Sequence, residues 1–89
     1  MNETIIVVTT ERMSAEQARE VAENWQGNAI ASYVDYSLEQ IEERAKLGYF
    51  DTYVRVPSTN VNVDMCISAI KSLGYKYKSK NAMYIFWEW

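Results

Sequence analysis

Eighty-nine residues, 48% of them hydrophobic, suit one small domain that buries about 60–65% of its unfolded surface. There is no histidine, the commonest general base near neutral pH and the commonest metal ligand, and a single cysteine, Cys66, excludes an intramolecular disulfide. No apolar run approaches the roughly 20 residues of a membrane span, and Met1-Asn2-Glu3-Thr4 does not open a signal peptide, so a soluble cytoplasmic protein, not secreted and without cofactor or metal, is expected.

Thr4–Thr10 is β-branched almost throughout and reads as a strand. Ser14 then caps a helix, with Gln17 three residues on completing a capping box and Met13 placed as a staple onto Ala18. Ala18, Val21, Ala22 and Trp25 follow on one helical face, and Gly27 offers a stop. Residues 28–36 fit either of two states. Ala29–Val34 could form a short strand, or Ile30, Val34, Leu38, Ile41 and Ala45 could continue a helical stripe. The spacing favours a helix over most of 29–47, bent near Asp35–Ser37. A second capping box at Ser37 and Gln40, with Tyr36 and Ile41 as staple, marks a fresh start at Ser37. Gly48 ends that helix.

Phe50–Val56 alternates as a strand and stops at Pro57, which has no donor for a sheet ladder. Val63, Cys66, Ile67, Ile70 and Leu73 form the next helical stripe, closed by Gly74. Strands at 75–79 and 83–89 flank the short turn Lys80-Asn81-Ala82, so they must pair as an antiparallel hairpin. The tripeptide Leu-Gly-Tyr thus occurs twice, at 47–49 and 73–75, each time between a helix and a strand. The fold expected is α+β: one domain over residues 1–89, with a mainly antiparallel sheet of three or four strands and two or three helices on one face.

Charge is unevenly placed. Residues 1–48 hold nine acids against four bases, whereas residues 49–89 hold five bases against three acids. Glu39, Glu42 and Glu43 form an acidic surface on one helix, with Glu16, Glu20 and Glu23 forming another. On the last strand Met83, Ile85, Trp87 and Trp89 share the core face, while Tyr84, Phe86 and Glu88 share the other. Tyr84 and Phe86 should neighbour Lys76 and Lys78 across the hairpin, and Tyr53 and Arg55 should point the same way. Aromatics mixed with cations on an open sheet suit a protein interface or single-stranded nucleic acid. The net charge of −3 weighs against phosphate-driven binding. Cys66 lies on an apolar helix face with no histidine to activate it, so a small buried hydrophobe is expected. None of the glycines builds a phosphate loop, and no catalytic motif occurs. The chain reads as a non-enzymatic binding protein.

Three segments carry a family likeness: Ala45-Lys46-Leu47-Gly48-Tyr49-Phe50, Ile70-Lys71-Ser72-Leu73-Gly74-Tyr75-Lys76-Tyr77-Lys78, and Tyr84-Ile85-Phe86-Trp87. Through them residues 41–87 resemble small bacteriophage-encoded α+β proteins in which a helix, a glycine and a strand precede a second helix, a Leu-Gly-Tyr stop and two strands ending in tryptophan. The resemblance implies a phage accessory or virion-associated protein, and in that setting the expected function is to bind and inhibit a host or defence protein. The alternatives are a virion assembly component or homo-oligomer, a sponge for a nucleotide signal, and a single-stranded nucleic-acid binder.

Overall fold

The first helix begins where its capping box places it. In a computed structural model that describes residues 12–89, the Gln17 N–H donates to Ser14 Oγ at 3.1 Å, and the Ser14 N–H donates to Gln17 Oε1 at 3.0 Å. The strand expected at 4–10 lies outside the described residues. Helix α1 spans Ala15–Lys46, 32 residues without interruption.

Two expected boundaries are therefore corrected. Gly27 does not stop the helix. Glycine inside a helix costs only about 1 kcal/mol relative to alanine, and the neighbouring Gln26 anchors the helix at this level. Its Nε2 donates to the Asn60 carbonyl, and its Oε1 accepts from the Asn62 N–H at 3.2 Å. Ser37 does not restart the helix either, and the strand reading of Ala29–Val34 falls with it. Ser37 is fully buried between Tyr33 and Ile41 on the packed face of α1, where its side chain has no free helix end to cap.

The carboxy end of α1 does stop at glycine. Gly48 has φ 90°, the Gly48 N–H donates to the Ala45 carbonyl at 2.9 Å and the Tyr49 N–H to the Arg44 carbonyl at 3.2 Å. These are the two bonds of a Schellman cap. Helix α2, Val63–Lys71, opens on Asn62, whose Oδ1 accepts from the Met65 N–H at 3.2 Å. It is two residues shorter than its apolar stripe, because Ser72 and Leu73 tighten into a final turn before Gly74 at φ 101°. The two Leu-Gly-Tyr segments thus share a left-handed glycine but close their helices with different bonds.

Strands β1 (Asp51–Arg55), β2 (Lys76–Lys80) and β3 (Tyr84–Glu88) form one sheet in the order β1-β3-β2. Both outer strands run antiparallel to β3, so β1 and β2 are parallel to each other with β3 between them. The hairpin turn is held by Asn81, whose Oδ1 accepts from the N–H groups of Met83 and Tyr84, each at 2.8 Å. The described residues thus form a small α+β domain of two helices and a three-stranded antiparallel sheet.

The helices contact the sheet over a core of Tyr33, Ile41, Val54, Cys66, Ile70, Ile85 and Trp87. Cys66 is fully buried, as its stripe predicts, and burial pushes its thiol pKa up. Tyr33 ties helix to sheet, its hydroxyl donating to the Arg55 carbonyl at 2.6 Å. Burial raises this phenol to about 12 from its usual 10, against a smaller opposing pull from the Ser37 hydroxyl.

Three outcomes follow. Gly27→Ala should stabilise the protein by about 0.5–1 kcal/mol in urea unfolding, since a Cβ there meets nothing within 4 Å. Trp87→Ala should cost about 3–5 kcal/mol by the same measurement. Between pH 10 and 12 the unfolded chain ionises at Tyr33 while the fold keeps the proton, so this contribution is full below pH 10 and is lost as pH rises through 12. In Tyr33→Phe that contribution should disappear from the pH profile of stability, and neutral-pH stability should fall by about 1 kcal/mol with the lost hydrogen bond.

Candidate functional site

Alternation along β1 and β3 separates two faces. Thr52, Val54, Ile85 and Trp87 turn towards the helices, and Tyr53, Arg55, Tyr84 and Phe86 turn away. In the β1–β3 register Tyr53 lies opposite Phe86 and Arg55 opposite Tyr84. The Tyr53 ring meets Tyr84 edge-on with centroids 4.9 Å apart and Phe86 at 6.0 Å and 48°. Such pairs hold one another in place beyond what simple burial contributes. Tyr53 is still 57% exposed, while Tyr84 and Phe86 are half-buried beside it. Among the described residues both helices lie on the opposite face. The outward face of the sheet is therefore not covered by either described helix.

Lys78 stands beside Phe86, as the hairpin spacing predicts, and lines a cleft of about 240 Å³ with it and Tyr53, whereas Lys76 is set off from Tyr84 and Phe86. The β2–β3 register shifts between Tyr77 and Ser79, leaving Lys78 as an extra residue. This bulge sets Ser79 opposite Phe86 and Lys76 opposite Glu88. Lys78 Nζ lies 3.8 Å from Glu88 Oε2, so one lysine is matched to a carboxylate. The six expected residues divide accordingly. Tyr53, Arg55, Tyr84 and Phe86 form one continuous row, and Lys76 and Lys78 sit at its Glu88 end.

Glu39, Glu42 and Glu43 are exposed on α1, away from the core. A shallow cleft of about 320 Å³ between α1 and the β1 edge is lined by Gln40, Glu43, Arg44, Leu47, Thr52 and Tyr53. It joins the acidic surface to the aromatic row. Arg44 borders it with its guanidinium carbon 3.8 Å from the centre of the Tyr49 ring, a cation–π contact that fixes the loop after the glycine cap. Tyr49 and Tyr75 both serve packing. Tyr75 packs against the core and meets Trp89 edge-on with centroids 6.1 Å apart.

One apolar feature escaped the sequence reading. Leu47 and Phe50 are 73% and 74% exposed, and Leu73 is 57% exposed. Both helices end where β1 and β2 begin, so these side chains share one end of the sheet. The doubled Leu-Gly-Tyr was their signal, because a residue at a glycine cap sits on a helix end and is easily left in solvent. Among the described residues no group of acids and cysteine is arranged to hold a metal ion, and no helix is long and apolar enough to cross a membrane.

No protein-family model, curated protein or solved structure matches the chain.

If the aromatic row is a preformed unit, its rings should be energetically coupled. A double-mutant cycle of Tyr53→Ala and Tyr84→Ala in urea unfolding should return a coupling of about 0.5–1.5 kcal/mol.

Proposed function

We propose that the protein acts by binding another protein through the outward face of its sheet. The observation that carries this reading is the packed row of Tyr53, Tyr84 and Phe86 with Arg55 beside it, on the face turned away from both helices. Tyrosine and arginine are the residue types that supply most binding energy at protein interfaces, and rings already held by one another lose little freedom on docking. The charges support a protein over nucleic acid. Lys78 is matched to Glu88, and the chain carries a net −3. In the phage setting implied by the likeness of residues 41–87, the partner is a host or defence protein that binding inhibits.

Affinity capture from a bacterial lysate, read by mass spectrometry, tests this. The intact protein should retain one partner after nuclease treatment and at raised salt. Tyr53→Ala and Phe86→Ala should each weaken that capture at least about tenfold, a hot-spot loss above 1 kcal/mol. Capture unchanged in both folded variants would sink the proposal, and capture abolished by nuclease would reassign the face to nucleic acid.

A further inference from the structure

The amino-terminal part of α1 extends past the last contact with the sheet domain. Every residue from Ala15 to Trp25 is exposed, and the first anchoring side chain is Gln26. A helical stretch of this length is marginal in water without tertiary support, since isolated helices shorter than about 12–15 residues barely form. Yet it is not polar all round. Ala15, Ala22, Ala29 and Tyr36 repeat at seven-residue spacing, with Ala18, Val21 and Trp25 alongside. Val21 is 54% exposed, Trp25 45% and Tyr36 43%. This stripe lies more than a third of a turn round the helix from the face that seats Ile30, Val34 and Ile41 on the core.

We infer that the stripe receives a second copy of the chain, with the two α1 helices packed antiparallel. Size complementarity sets the direction. The stripe is small at its amino end, through Ala15, Ala18 and Ala22, and large further on, through Trp25 and Tyr36. Antiparallel packing centred on residues 23–24 lays Trp25 of one copy over Ala22 of the other, where a small side chain lets the backbones approach. Parallel packing would set ring against ring and leave gaps between alanines. Charge gives the same answer. Glu16, Glu20 and Glu23 crowd the amino end with only Arg19 among them, whereas residues 24–34 carry no charge. Parallel helices would bring both acidic ends together. Antiparallel helices place each beside the partner's neutral stretch and oppose the two helix dipoles. The seven-residue spacing keeps the stripe facing one neighbour along its length. An interface made by one helix stripe is small, so dimerisation is concentration-dependent.

Light scattering after size exclusion, from low-micromolar to near-millimolar chain, should show a monomer passing into a dimer, with helical circular dichroism rising in step. Ala22→Glu and Trp25→Glu should each hold the chain as a monomer at all concentrations, while near-ultraviolet dichroism from the buried Trp87 shows the sheet domain intact. Direction is read from a spin label at Ala15→Cys on a Cys66→Ala background. Antiparallel helices separate the two labels by roughly 20–30 Å, whereas parallel ones bring them to about 10 Å. A strict monomer, a dimer untouched by both glutamates, or a short label distance overturns the inference. A monomer in which removal of residues 1–11 newly exposes the stripe assigns it to the chain's own amino end instead and equally overturns it.

Discussion

Burial of one side of β3 is the interaction on which the rest of the structure depends. Ile85 and Trp87 are both fully buried, and among the described strands β3 is the one paired on both edges. Val54 opposite Ile85, and Tyr77 opposite Trp87 with its ring 5.9 Å away, join the outer strands to the same apolar surface. Ile41 of α1 and Cys66 and Ile70 of α2 close over it. A domain this small has few such residues, so each carries a large share of a total stability of only about 5–15 kcal/mol. The alternation that buries Ile85 and Trp87 also turns Tyr84 and Phe86 outward, so the core and the aromatic row are two sides of one pattern.

Much of this was legible in the residues. Ser14 and Gln17 form their capping box, the glycines at 48 and 74 take left-handed conformations, and the Ile85 face is the buried one. These features are local, and local chemistry decides them. What the sequence concealed depends on distant contacts. Gly27 reads as a stop until Gln26 is seen holding the loop at Asn60–Asn62, more than thirty residues away. Ser37 and Gln40 have the letters of a cap, but Ser37 lies on the buried face of a helix that arrives already formed. The bulge at Lys78 carries no glycine or proline to announce it, and it shifts the pairing of β2 with β3. Four of the six expected site residues came together because strand alternation is local. Lys78 joined them at Phe86, while Lys76 was set opposite Glu88, because hairpin register is not local.

Helix α1 does two different things along its length. From Gln26 onward it is a wall of the domain, tied by Tyr33 to the β1 backbone and by Gln26 to the cap of α2. Before Gln26 its side chains face solvent on all sides. The two parts share a continuous backbone hydrogen-bond ladder, so the outer part takes its direction from the inner part. Whatever docks on the outer part meets a rod fixed in orientation to the sheet, and the aromatic row on the far side of that sheet is held at a set distance from it.

The strand order has a consequence for how the molecule comes into being. β3 is last along the chain but central in the sheet. β1 and β2 never touch as neighbours, so neither can begin a sheet with the other while β3 is missing. A chain growing from its amino end can build α1 early, since that helix carries its own caps, but among the described strands β1 finds its partner only after α2 and β2. Closure then joins residues as far apart as Asp51 and Glu88 in one late event. Such distant pairings form more slowly than the local contacts of a helix. The unpaired Tyr53 strand is meanwhile the segment most open to capture by a wrong neighbour, which is the interval in which a chaperone would matter most.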